Sequence, residues 1–432
     1  APEGGGAYDL TAKLAGGLDR HLVFPLLEFI QGKGVYAKEE VMQQKIDLLA
    51  KTNMVDFAMD IHRSLKGGTE VPQELVQRRL GVVGRLHDLQ AKTAPLVAFL
   101  KDPQKAAELS SDKQWNREML QQHGIGEDSV EALYDYAKWQ YECGNYTGAA
   151  EFLSIYESAL CTSVDKLFSC MWGKLGASIL AQDFSTALQS MNALKDAMDN
   201  KNFANPLMQL QQRTWLLHWS LYVFFNHPQG RALLVDLFLQ DRYLNAIQIN
   251  APHLLRYLAA VVLISARGKG KGGPFKDLIH IMKQEQDLEQ DPIIAFLHAL
   301  FVEYDFHGAQ DWLQKCELAL DHDYFLAACK AEFMEAARLH VFETYCRVHQ
   351  TIDVGMLAEK LGMEMQAAEK WIANLIKNAQ LNAKIDSQAG TIVMHMDYPD
   401  VYDKLQATIR DATSRTTALA HSVLGSGSAA GF

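Results

Sequence analysis

Chemistry at phosphate needs glycines at fixed spacing, and the chain has one such run. Gly268-x-Gly270-x-x-Gly273 matches the pattern with which dinucleotide-binding proteins bring backbone N–H groups against a pyrophosphate, and acidic residues stand about twenty positions on, where such proteins hold a ribose hydroxyl. That chemistry also needs a strand before the glycines and a helix N-terminus after them. Here Leu254, Leu255, Leu258, Val261, Val262 and Ser265 follow helical spacing behind Pro252, and no strand–helix alternation precedes them. The stretch Arg267 to Pro274 is therefore read as a basic loop joining two helices. Gly173-Lys174 is followed by Leu175, not by the Ser or Thr that holds magnesium in a phosphate loop. Asp321-His322-Asp323 has metal-ligating residue types, but adjacent helix residues point apart, and no second ligand cluster accompanies them. This triplet reads as an exposed polar turn. His218 stands between Trp215 and Trp219 in a helix, QQRTWLLHWSLYVFF, that is apolar on most sides, so it reads as a packed core histidine and not as a base. No GxSxG, HExxH or paired CxxC occurs. The expectation is a chain that is not an enzyme and has no catalytic residues, cofactor or metal.

The elements that remain must then serve binding, and their order is informative near the end. From Thr351 to Met394 two short amphipathic helices precede two short strands, the order of a winged helix. Val354, Leu357, Ala358 and Leu361 form one helical face that Gly362 ends; Ala368, Trp371, Ile372, Leu375 and Ile376 form the next. Ala383 to Asp386 alternates with period two, Ser387 to Gly390 turns, and Thr391 to Met394 returns. Two strands alone are marginal in water, so the hairpin has to pack on the helices or find another strand. Around this module six acidic side chains (Asp353, Glu359, Glu364, Glu369, Asp386, Asp397) face four basic ones (Lys360, Lys370, Lys377, Lys384), a net charge of −2. A winged helix that reads DNA needs a basic footprint on the phosphates. The charge excludes sequence-specific DNA binding and favours protein docking.

An open strand edge invites pairing with another chain. The expected docking surface is therefore the hairpin edge, with Lys384, Ile385, Thr391, Ile392, Val393 and Met394, rimmed by Lys377 and Gln380. A second surface is expected on a last helix, where Leu405, Ile409, Ala412, Thr416, Leu419 and Val423 are spaced 4, 3, 4, 3 and 4 apart, a heptad seam poor in large residues.

Upstream, almost everything reads as helix. Tyr146-Thr147-Gly148-Ala149, Phe184-Ser185-Thr186-Ala187, Tyr243-Leu244-Asn245-Ala246 and Phe306-His307-Gly308-Ala309 share an aromatic residue followed three positions later by alanine, each after a polar residue or turn. Helix–turn–helix units of this kind bury no core alone and stack into an array. The 432 residues, 48% hydrophobic and 22% charged with net charge −11, fit a globular protein with little affinity for nucleic acid or anionic membrane. No run of about 18 uncharged apolar residues exists, so nothing is expected to span a bilayer. The N-terminus lacks the basic and apolar regions of a secretory signal. The six cysteines show no framework spacing and read as reduced, mostly buried thiols of an intracellular protein. The division expected is a disordered N-terminus (1–7), a helical-repeat array (8–349, with N-terminal helices 8–125 and a second part 126–349), the winged helix (350–398), a C-terminal helix (399–424) and a disordered tail (425–432).

Several long, irregular stretches carry a resemblance. DRHLVFPLLEFI from Asp19, TNMVDFAMD from Thr52, YECGNYTGAAEFL from Tyr141, QQRTWLLHWSLYVFFNHPQGR from Gln211, YLNAIQ from Tyr243, FETYCRVHQTI from Phe342 and WIANLIKNAQLNAKIDS from Trp371 together resemble the e-subunit family of eukaryotic translation initiation factor 3, a PCI-domain family, over almost the whole chain. The Gly-Lys loop and the short Gly/Ser tail depart from it. The resemblance implies a mostly α fold, a right-handed helical-repeat solenoid leading into a winged-helix (PCI) module and a C-terminal bundle helix. It further implies a non-catalytic scaffold subunit in the cytoplasm, with the nucleus as a second compartment. Its implied partners are other subunits of the initiation factor, PCI subunits above all, and through the complex the small ribosomal subunit, in support of mRNA recruitment. A PCI scaffold of the proteasome lid or the COP9 signalosome is the alternative with the same architecture.

Overall fold

The computed structural model describes residues 6, 8–66, 72–102, 104, 109, 112–201, 203, 205–265, 273–284, 291–349, 351–353, 355, 370, 373, 383–386, 391–394 and 401–427. They belong to two compact units, residues 1–338 and residues 339–432. The chain is mostly α-helical, a helical-repeat array followed by a winged-helix module and a terminal helix.

In the first unit the described elements are helices: α1 (Thr11–Ala15), α2 (Arg20–Lys33), α3 (Lys38–Leu49), α4 (Val55–Lys66), α5 (Gln73–Lys101), α6 (Lys113–Gln122), α7 (Glu127–Glu142), α8 (Tyr146–Ile155) and α9 (Val164–Leu180). They continue with α10 (Phe184–Asn200), α11 (Pro206–Asn226), α12 (Gly230–Phe238), α13 (Asp241–Asn250), α14 (Leu255–Ser265), α15 (Gly273–Gln284), α16 (Pro292–His298) and α17 (Phe306–His322). Helix α18 (Lys330–Val348) begins in the first unit and ends in the second, which then holds β1 (Thr351–Asp353), β2 (Ala383–Asp386), β3 (Thr391–Met394) and α19 (Val401–Gly427). Helices α4 and α5 end at Lys66 and Lys101, just before Gly67-Gly68 and Asp102-Pro103, residue types that stop helices.

The aromatic–alanine pattern marks real turns. Tyr146, Phe184 and Phe306 are each the first residue of a helix. Two positions earlier, Gly144, Gln182 and Tyr304 take φ of 92°, 61° and 59°, the left-handed conformation that stops the preceding helix. Between them the caps Asn145, Asp183 and Asp305 accept from the backbone N–H of Gly148, Thr186 and His307, at 3.3, 3.1 and 3.0 Å. The N–H groups of the same three caps return to the carbonyls of Gln140, Ser178 and Ala299. Each turn so satisfies both helix ends at once. The alanines Ala149, Ala187, Ala246 and Ala309 are all 0% exposed, at the close contact between paired helices. The fourth unit differs: α13 starts at Asp241, two residues before Tyr243, and its cap Gln240 makes no side-chain bond.

Among the described residues two π-helical segments interrupt the array, Tyr156–Leu160 and Ala299–Glu303. A π turn frees carbonyls that the α pattern would bond. In the first segment they are met from α6: Asn116 Nδ2 donates to the Ala159 carbonyl at 2.9 Å and Arg117 Nε to the Leu160 carbonyl at 3.1 Å. The core here joins Leu96 and Phe99 of α5, Leu120 of α6, Leu133 of α7, Leu153 of α8 and Cys170 of α9.

The N-terminal segment is bound along its length to helices far away in sequence. Arg256 of α14, 3% exposed, donates from Nη1 to the Tyr8 carbonyl at 2.9 Å and from Nε to Asp291 Oδ2 at 2.5 Å. Its Nη1 is 3.5 Å from Asp323 Oδ2, which also accepts from the Tyr257 hydroxyl at 2.9 Å. Asp323 Oδ1 accepts the N–H groups of Phe325 and Leu326. Farther along, the Tyr222 hydroxyl of α11 donates to the Leu22 carbonyl of α2. Gly17 lies so close to His218 that a Cβ there would sit 2.5 Å from the imidazole ring. The reading of Asp321 to Asp323 as an exposed turn is corrected: Asp323 is 6% exposed and fully bonded, while Asp321 pairs with Lys330. The spacing of three residues could not reveal a cation 67 positions upstream.

His218 is 2% exposed, and its Nδ1 donates to the Thr214 carbonyl at 2.7 Å. Since a carbonyl only accepts, His218 Nε2 is unprotonated and takes the Nε2 proton of His253 at 2.9 Å. Both rings are neutral, and burial followed by the neighbouring His218, Lys13 and Arg256 holds His253 down to about 3.

Two outcomes are expected. Arg256→Met leaves two buried carboxylates without their cation and should cost about 3 kcal/mol, read as a lower urea midpoint with earlier proteolysis before Asp19; an unchanged midpoint would contradict it. For the histidine pair, the unfolded chain takes up a proton near pH 6.5 and the folded chain resists until about 3. The stability gained from neutral burial is complete above about pH 6.5 and is lost as pH falls towards 3. His253→Gln, which keeps a donor but cannot titrate, should lose less stability over that range than the parent chain.

Candidate protein-docking site

The sheet of the second unit has the order β1-β3-β2, with both pairings antiparallel. Thr351, Ile352 and Asp353 stand opposite Val393, Ile392 and Thr391, and Ala383 to Asp386 stand opposite Met394 back to Thr391. The third strand that a lone hairpin needs is supplied by the three residues leading into the module. Its consequence is a correction. Thr391, Ile392, Val393 and Met394 form the central strand, not the open edge expected from the sequence. Among the described residues the edges are β2, which carries Lys384 and Ile385, and β1. A strand of three residues is too short for alternation to declare itself, which is why the reading found two strands and missed the first.

Ile392 is 0% exposed, so its side of β3 faces the core of the module, and the half-buried Thr391 lies on the other side. The register puts Ile352 and Ile385 directly opposite Ile392 on either side. Lys377 and Gln380, expected at the rim, lie outside the described residues, as do most residues of the two helices expected before the hairpin. Of the second of those helices Lys370 and Ala373 are described, and both are exposed.

The terminal helix runs from Val401 to Gly427, so Gly425, Ser426 and Gly427, expected in the tail, are helical. Its seam is bare. Leu405, Ile409 and Leu419 are 56%, 56% and 66% exposed, and Ala412 and Thr416 are exposed as well. Val423 lies in the same helix one turn on. Every described side chain from Thr408 to Ala420 is exposed. Thr413, Thr416 and Thr417 return their hydroxyls to the carbonyls of Ile409, Ala412 and Thr413. Polar groups that bond their own backbone lose little when the helix packs against another surface.

The sequence patterns that mimic catalysis gain no support. Helical backbone from Leu255 to Ser265 precedes the glycine run, where a dinucleotide site requires a strand. Gly268 and Gly270 lie outside the described residues, and Gly273 opens α15. No group of three or more metal-ligating side chains occurs among the described residues. Five cysteines, Cys143, Cys161, Cys170, Cys316 and Cys329, are free thiols, four of them buried; burial lifts Cys143 to about 11 and Cys170 to about 12, so neither is a nucleophile at neutral pH. No single helix among the described residues is long and apolar enough to cross a membrane.

Comparison with known families and proteins adds two kinds of match. Residues 9–140 match the family model "eIF3 subunit 6 N terminal domain" and residues 313–396 match the PCI domain. Proteins named as the E subunit of eukaryotic translation initiation factor 3 are similar over nearly their whole length. The protein of Arabidopsis thaliana is 48% identical over 429 residues, covering 96% of this chain and 96% of its own. That of Culex quinquefasciatus is 43% identical over 413 residues, 95% and 94% of the two chains, and that of Drosophila melanogaster 41% over 414 residues, 96% and 94%.

Proposed function

The chain belongs to the E-subunit family of eukaryotic translation initiation factor 3, and from that membership we propose that it is a non-catalytic scaffold, docking neighbouring subunits through its winged-helix sheet and its terminal helix. The observation that carries this reading is the terminal helix. Most helices draw their stability from packing and not from propensity, and this one of 27 residues spends four threonines and two glycines on its course. Yet Leu405, Ile409 and Leu419 stay exposed on it. A helix built in this way holds its shape in a bundle with others. The strand edge supports the same reading, because among the described residues β2 is an edge of the sheet, and an edge offers backbone groups that another chain's strand can take up. The charge of the chain, −11, and of the module, −2, fits protein partners better than phosphate.

The partners in this reading are other subunits of the initiation factor, and PCI subunits in the first place, since a second winged helix brings a strand edge of the same kind. Through the assembled complex the protein supports binding to the small ribosomal subunit and recruitment of mRNA, and the compartment is the cytoplasm. A stable contact buries about 800 Å² on each partner, more than one four-residue strand supplies, so sheet edge and terminal helix act together.

Two experiments test the two surfaces. Removal of residues 400–432 should leave the helical content of the first unit unchanged by circular dichroism and reduce co-purification with the other subunits several-fold; full recovery of partners would show that the seam is not a contact. For the sheet, proline is placed at Lys384 and at Ile385 in turn. Neighbouring residues of an antiparallel strand send their N–H groups to opposite sides, so only one of the two variants breaks a bond to β3. Both should lose partners, and only one should melt the module. A variant that keeps the module folded and recovers partners at parental yield would remove β2 from the interface. Val393→Pro, in the central strand, serves as the control that unfolds the sheet.

A further inference from the structure

The start of α2 separates two cavities in the first unit. Arg20, His21 and Thr52 line both. This partition is fixed, because Arg20 Nη1 donates to the Lys51 carbonyl at 2.8 Å and His21 Nδ1 is hydrogen-bonded to the Tyr146 hydroxyl at 3.0 Å. One cavity, of about 260 Å³, is walled by Tyr134, Tyr141, Trp172 and Trp219, with Lys51 and Lys138 at its margin. The other, of about 210 Å³, is lined by Phe24, Pro25, Leu48, Met54 and Phe57. Each lies below the roughly 300–1,000 Å³ of small-molecule sites, and each suits one large side chain.

The charged side chains lining the larger cavity are Asp19 and Glu142 against Arg20, Lys51 and Lys138, a balance of +1 (3 − 2). Asp19 Oδ1 accepts from the His21 N–H and the Tyr141 hydroxyl, both at 3.0 Å, and Glu142 Oε2 accepts from the Asn53 amide at 2.7 Å. Lys51 and Lys138 are exposed, and among the described residues neither pairs with a carboxylate. The smaller cavity calls for apolar surface.

We propose that the two cavities form one binding site for an extended segment of a partner polypeptide, which places a large apolar side chain between Phe24 and Phe57 and a nearby Asp or Glu between Lys51 and Lys138. A polypeptide fits better than RNA. The chain as a whole is acidic and repels a polyanion, and a phosphate backbone leaves the apolar cavity unfilled. The inference rests on the reading of the chain as a subunit of an assembly, and it assigns a second contact remote in sequence from the winged helix.

The test places the photo-crosslinking amino acid p-benzoylphenylalanine at Ser169, on the wall of the larger cavity, in the full-length chain within the purified assembly. After irradiation the adduct is mapped by mass spectrometry. It should fall on another subunit, in a segment with a large apolar residue within three positions of an Asp or Glu. Lys51→Glu combined with Lys138→Glu should cut the adduct yield at least about tenfold while the chain stays in the assembly, the loss of about 1.4 kcal/mol of affinity. Both lysines are exposed, so this variant keeps its fold. An adduct on RNA, an adduct confined to this chain, no adduct, or a yield unchanged by the charge reversal would each overturn the site. A chain absent from the assembly altogether would overturn the scaffold reading as well, and is told apart by its failure to co-purify.

Discussion

The array depends on burying one guanidinium. Arg256 is almost without solvent, and its charge is tolerable only because Asp291 and Asp323 stand against it. Asp291 caps α16 through the N–H groups of Ile293 and Ile294, and Asp323 caps the turn that leads to α18. The same guanidinium holds the Tyr8 carbonyl. One cation therefore fixes two helix starts and the entry of the chain. An array of helical repeats has neighbours only before and after each unit, and long-range ties are what turn such a row into a single body. The N-terminal segment provides them, from Tyr8 to Arg256, Gly17 to His218 and Leu22 to Tyr222.

How much of this was legible beforehand follows from the range of each interaction. The repeat was visible because an aromatic at the first helical position, a polar cap before it and an alanine three residues on are all local, and Tyr146, Phe184 and Phe306 fell where the pattern put them. Tyr243 obeyed the packing rule but not the capping rule, since Gln240 caps poorly. The buried network was invisible: Arg256, Asp291, Asp323 and Tyr8 are spread over more than 300 residues, and each alone looks like an exposed polar residue. Asp323 was misread for that reason. His253, the partner of His218, was missed on the same ground. The cavities beside α2 join Asp19 to His21, Thr52, Tyr141 and Trp172, which come together only once the N-terminal segment is laid across the array.

In the second unit the legibility was of kind but not of position. Alternation gave the short hairpin, and the seam of α19 was read from spacing alone. The strand order was not readable, because it turns on Thr351 to Asp353, a segment with too few residues to show a period. With β3 inside the sheet, the edge strands among the described residues are β1 and β2, and β2 carries Lys384 and Ile385.

The position of β3 also sets a clock. Of the three strands it lies in the middle of the sheet and comes last off the ribosome that makes the chain. Until residues 391–394 have emerged, β1 and β2 have nothing between them and no sheet exists. The first unit is by then complete and free to fold, as domains made earlier do. The sheet is thus complete only in the last moments of synthesis or after release, when the nascent chain already carries a finished array.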